Sequence, residues 1–171
     1  MNTTLFKFSQ TARALSLASS VTLLSMAALA QTAPVKVEGA WARAMVQGQQ
    51  STGAFMSLTA KEALALVGVS SPIAGVAEVH EMKMEGDIMK MRAVPTLDLP
   101  AGKKVDFKPG GYHVMLMDLK TPLALGSTVP VTLTFKDAKG VQSKLALKLP
   151  VSTVAPGALA GEPAATHKHK H

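Results

Sequence analysis

The stretch Val76–Val94, "VAEVHEMKMEGDIMKMRAV", alternates side-chain character on both sides of Gly86-Asp87. A Gly-Asp pair suits a tight two-residue turn, so the segment reads as a β-hairpin. Turning there pairs Glu85 with Ile88, Met84 with Met89, Met82 with Met91 and His80 with Ala93. Side chains alternate along a strand, so one face carries His80, Met82, Met84, Met89 and Met91. The other carries Glu81, Lys83, Lys90 and Arg92, with Glu81 opposite Arg92. A slip by one residue would mix charge into the Met face, which argues for this register.

A second stretch, "HVMLM" at His113–Met117, repeats the pattern. His113 and Met115 project from one face with Met117 beyond, while Val114 and Leu116 point the other way into a core. The chain has ten Met and five His, and these two stretches hold six of the Met and two of the His. Met at alternate strand positions also serves as flexible core filler, and a lone strand His is commonly structural. Two His, each beside same-face Met and with no other His before the tail, favour a metal site. Its expected ligands are His80, Met91, His113 and Met115, with Met82, Met84, Met89 and Met117 as surrounding or alternate donors. Thioether sulfur is soft and neutral, which discriminates against Zn²⁺, Mg²⁺ and Ca²⁺ and suits Cu(I).

The rest of the chain fits an all-β domain. Short runs of Val, Ile, Leu, Phe and Thr are broken by Gly, Pro and Asp. They predict strands at 35–38, 40–45, 53–59, 63–69, 76–84, 88–94, 104–107, 112–118, 128–135 and 141–149. Residues 60–66 have the option of one helical turn. Pro109-Gly110-Gly111 and Asp137–Gly140 are turn chemistry. Many short strands in one domain predict a Greek-key sandwich or a small barrel.

Residues 1–30 have Lys7 and Arg13, no acidic residue, and an apolar run ending in Ala28-Leu29-Ala30. That is the pattern of a secretory signal cleaved after Ala30, which predicts export to a bacterial periplasm with no membrane span in the mature form. No Cys lies at the cleavage point, which excludes lipid attachment there. The mature chain, 31–171, has 18 − 2 = 16 Lys and Arg against 11 Asp and Glu, a net charge of +5. The surplus is dispersed and aromatics are few, so nucleic acid is not an expected partner, whereas an acidic protein is permitted. With no Cys at all, a His₂Cys blue-copper centre and a Cys-based zinc site are both excluded. No nucleophile, general base or phosphate loop is visible, so the chain is not expected to be an enzyme. The domain is expected over 31–150, with a flexible tail over 151–171. The tail ends in "HKHKH", whose His167, His169 and His171 would suit Cu(II); a solubilising role is its alternative.

The spacing His80, ten residues, Met91, twenty-one residues, His113, one residue, Met115 resembles the signature of the periplasmic copper chaperone family PCu(A)C. "AWARA" (40–44), "TGAFMSL" (52–58), "SSPIAGVAEVHEM" (70–82), "PGGYHVMLMDLK" (109–120) and "VTLTF" (131–135) resemble the family as well. The resemblance implies a cupredoxin-like β-sandwich that binds one Cu(I) near its surface through His80, Met91, His113 and Met115. It further implies delivery to a respiratory haem–copper oxidase, at the CuA centre of subunit II, or to another copper-assembly protein. Some members carry a His- and Met-rich extension proposed to bind Cu(II); this tail has the His without the Met. The rival readings are a periplasmic copper storage or tolerance protein without a dedicated client, and an exported adhesive or scaffold sandwich.

Overall fold

A computed structural model describes residues 33–157. The expected signal segment and the tail histidines His167, His169 and His171 lie outside the described residues. Every regular element among the described residues is a strand. These are β1 (Val35–Arg43), β2 (Thr52–Ala60), β3 (Leu64–Ser70), β4 (Ala74–Glu85), β5 (Ile88–Ala93), β6 (Leu97–Leu99), β7 (Lys104–Phe107), β8 (Tyr112–Leu119), β9 (Thr128–Asp137) and β10 (Gln142–Ser152). No helix of the described residues is long and apolar enough to cross a membrane.

The strands form one continuously hydrogen-bonded sheet in the order β5-β4-β8-β7-β2-β1-β10-β9-β3-β6. The sheet is open at β5 and β6, so the barrel alternative is not realised. Its two wings meet through a short parallel contact in which Ala42 pairs with Val151 and Arg43 with Ser152. Both wings contribute to one core. Leu58, Val114 and Leu116 come from one, and Leu66, Val131, Leu133, Phe135 and Leu149 from the other, all at most 1% exposed. The result is a sandwich, in which β4 pairs with β8, β1 with β10 and β3 with β9, strands distant in sequence.

Four details differ from the sequence expectation. The runs at 35–38 and 40–45 are a single strand, bent where the register shifts between Glu38 and Trp41. Gly39 sits there at φ 58, a conformation that glycine adopts without a Cβ penalty. Residues 60–66 form no helical turn, because Leu64 and Leu66, two apart, both turn inward and pair with Leu99 and Leu97. That spacing satisfies a strand and not a helix. β6 went unforeseen, as a strand of three residues is too short to display a period. Finally, β10 runs two residues past the expected domain end at 150, and Val151 is buried at 2% exposure.

Candidate metal centre

The β4–β5 hairpin turns at Gly86, φ 62, and Asp87. Its register pairs Glu85 with Ile88, Met84 with Met89, Met82 with Met91, Glu81 with Arg92 and His80 with Ala93, as the alternation predicts. On the other side of β4 lies β8, antiparallel, with Glu78 opposite Met115, His80 opposite His113 and Val79 opposite Val114. Opposed residues of an antiparallel pair share a face. Glu78, His80, Met82, His113, Met115 and Met91 therefore occupy one surface, and Val79, Val114 and Leu116 are buried behind it.

The two imidazoles have ring centroids 5.9 Å apart, edge to face. His80 Nδ1 lies 3.1 Å from Met91 Sδ. Its Nε2 lies 3.1 Å from Glu78 Oε2; in the neutral imidazole with Nε2–H donating to that carboxylate, the Nδ1 lone pair faces the sulfur. His113 Nδ1 donates to the Gly111 carbonyl oxygen at 3.0 Å, which leaves its Nε2 as the free lone pair. Each ring is thus oriented by a hydrogen bond from the nitrogen that a metal would not use.

Surrounding residues hold His113 in place. It is 6% exposed, with Phe55 at a centroid distance of 6.5 Å and the Arg43 guanidinium 5.4 Å above the Phe55 ring. Gly53 pairs with Met115, and a Cβ at Gly53 would stand 2.8 Å from Phe55 Cζ. The missing side chain gives the Phe55 ring its place beside the imidazole. Met82, His113, Met115, Gly53, Phe55 and Arg43, with Pro109 and Gly110, line an open pocket of about 200 Å³.

All eight residues expected at or around the centre fall on this face, at graded distances. Met91 is on the edge strand and 49% exposed, and Met84 and Met89 pair near the hairpin tip at 53% and 49% exposure. Met117 pairs with Val76, two residues along β8 beyond Met115. Among the described residues no three His, Asp or Glu converge in a metal-holding group, so the donors gathered here are chiefly neutral nitrogen and sulfur. The roles of Glu78 and the Gly111 carbonyl were missed from sequence. Glu78 was detectable as the residue two before His80 on the same face; the carbonyl left no signal, being backbone.

The reverse face of the hairpin is charged. Glu85 pairs with Lys90 at 2.8 Å and with Arg92, so the ion pair of Arg92 goes to Glu85, although Glu81 is its register partner. The Lys90 hydrogen bond, assisted by Arg92, holds the Glu85 carboxyl below its ordinary value. Glu81 instead lies beside Tyr112, whose phenol is pushed up by burial and by that carboxylate.

Comparison with known proteins places this fold in a class. The copper-bound PCuAC domain from PmoF2 superposes with a TM-score of 0.58 at 23% identity, covering 72% of this chain and 97% of that domain. The fold is therefore the cupredoxin-like sandwich of PCuAC domains. The Cu(I) form of DR1885 from Deinococcus radiodurans superposes with a TM-score of 0.54 at 34% identity, covering 74% of this chain and 83% of that one. Lxx21020 of Leifsonia xyli subsp. xyli, named as a lipoprotein, is 33% identical over 104 residues, 60% of this chain. The match spans 63% of that relative's own length. The LpqE-like family profile matches residues 35–150. This chain belongs to the LpqE-like family, the PCu(A)C family that its motif resembles.

Proposed function

We propose that this protein is an exported Cu(I) carrier that holds one ion between His80, Met91, His113 and Met115 and passes it on by ligand exchange. The observation that carries the reading is the 3.1 Å approach of His80 Nδ1 to Met91 Sδ, on the strand pair that sets His80 opposite His113. Bonds of about 2.0 Å to nitrogen and about 2.3 Å to sulfur, spread tetrahedrally, separate two ligand atoms by about 3.5 Å. The observed pair therefore opens by only a few tenths of an ångström to admit an ion. Two imidazoles and two thioethers add no charge, which favours a soft monocation over a harder divalent ion. The Glu78 carboxylate, hydrogen-bonded to His80, offsets the charge of the cargo without binding it. The related Cu(I)-loaded DR1885 supports the choice of metal.

Weak neutral ligands at a surface suit transfer to an acceptor richer in thiolate. Delivery to a respiratory haem–copper oxidase, at the CuA centre of subunit II, is the finer form of the proposal. His167, His169 and His171 are proposed as a separate Cu(II) site on the same chain. Titration with Cu(I) against a competing chelator tests the centre: one tight equivalent is expected, lost in His80→Ala and in Met91→Leu. Unchanged affinity in both variants would overturn it. Copper-edge absorption of the loaded protein reports thioether ligation directly. Gene deletion separates carrier from store, since a carrier predicts an oxidase assembly defect at low copper and a store predicts sensitivity at high copper.

A further inference from the structure

Six of the ten methionines lie on the face just described, and none of the six belongs to the core or packs against it. Among the described residues, Met56 and Met45 are the methionines that do. The proposed Cu(I) centre uses Met91 and Met115, and Met82 borders its pocket. Met117 lies farther along β8, opposite Val76, which leaves Met84 and Met89 on the hairpin. At 53% and 49% exposure they fill no gap, and half-exposed thioethers contribute little through burial. Strand propensity does not call for them either, since Thr, Val or Tyr would serve a strand better.

Their arrangement is specific. Met84 stands directly opposite Met89, and Met82 directly opposite Met91, so four thioethers occupy successive positions along one face of the hairpin. Opposed side chains start about 5 Å apart at Cβ, and diagonal neighbours about 7 Å. Three rotatable bonds in each Met let the sulfurs converge from there. Within the paired strands, from His80 to Glu85 and from Ile88 to Ala93, this face carries no charged side chain, because Glu81, Lys83, Glu85, Lys90 and Arg92 all project from the reverse, and Asp87 lies in the turn beyond. β5 is the last strand of the sheet, so among the described residues nothing pairs beyond it.

We propose that Met84 and Met89, backed by Met82, form a second and weaker site for a soft monovalent cation, an outer station for the ion that leaves the His80 centre by way of Met91. The proposal rests on the soft-ion reading of that centre and adds a direction of exit, outward along the hairpin toward Gly86-Asp87. Met91 links the two, because it faces His80 Nδ1 and also pairs with Met82.

The test is titration of the full chain with Ag(I), a redox-silent soft monovalent probe, following the methyl signals of ¹³C-methyl methionine. Each methyl reports its own sulfur, so binding elsewhere in the chain does not confuse the readout. The first equivalent is expected to shift Met91 and Met115. Further Ag(I) is expected to shift Met84 and Met89 with weaker affinity. In the Met84→Leu/Met89→Leu variant, which conserves volume, the later phase should vanish while the first is unchanged. Withdrawal of Cu(I) by a small dithiol should then slow several-fold at unaltered equilibrium affinity. Met84 and Met89 signals that stay fixed through excess Ag(I) would overturn the outer station and leave the main centre standing. Shifts of Met84 and Met89 without Met91 and Met115 would overturn the main centre and retain a thioether site at the hairpin. A withdrawal rate that is the same in the double variant would overturn the exit route.

Discussion

The β4–β5 and β9–β10 hairpins obey the same two-residue alternation and end in opposite circumstances. In β9 the alternate residues Val129, Val131, Leu133 and Phe135 are at most 1% exposed, buried against the facing wing. In β5 every residue is exposed, with Met89 and Met91 each at 49%. Period two says which side chains share a face; whether another layer covers that face depends on where the strand sits in the sandwich. β9 lies between β10 and β3, whereas β5 is the free edge. One hairpin's apolar face stabilises the fold, and the other's is left available to a ligand.

Substitutions that exchange the two circumstances break or sharpen this contrast. The largest effect belongs to Phe135→Ala, expected to cost about 3–5 kcal/mol through lost burial and an unfilled cavity, read as a fall in the urea midpoint. A loss below about 1 kcal/mol would mean that the facing wing does not cover β9. Next comes Met91→Leu, which should weaken Cu(I) binding at least tenfold, about 1.4 kcal/mol, with the unfolding midpoint unmoved. A drop in stability without loss of affinity would make Met91 a packing residue.

A smaller effect follows from Glu85. Lys90 chiefly, with Arg92, lowers its folded pKa below the ordinary 4.5, so the paired carboxylate stabilises the hairpin above that value. The contribution is lost as pH falls through the lowered folded pKa. Amide protection factors at the tip, which are exchange rates relative to the unstructured chain at the same pH, should therefore fall on acidification, and Glu85→Gln should remove that fall. The effect is modest because the pair is exposed. The smallest effect is expected of Met84→Leu/Met89→Leu on stability, within about 0.5 kcal/mol in thermal unfolding. A larger change would assign those thioethers to packing and weaken the contrast between the hairpins.

Much of the geometry of the β4–β5 hairpin was legible in the sequence. The Gly86-Asp87 turn and the segregation of charge from Met pointed to the observed hairpin register, since a slip by one residue would have mixed the faces. The same reasoning put Val114 and Leu116 behind the His113 face, and both are fully buried. Less legible were features made of backbone or of very short segments. The Gly39 bend joined two expected strands into one, and β6 was too brief to announce itself. The ion pair of Arg92 also escaped, because long flexible side chains reach diagonally to Glu85 instead of staying on their own pair.

The sequence by itself determined the composition of each strand face and the pairing within each hairpin, because alternation and turn chemistry act over neighbouring residues. Only the tertiary structure decided that β8 lies against β4, which sets His113 opposite His80, and that the strand carrying Met91 is left at the edge. Those outcomes depend on pairing segments about thirty residues apart and on which faces the folded wings bury. Local periodicity carries no record of either.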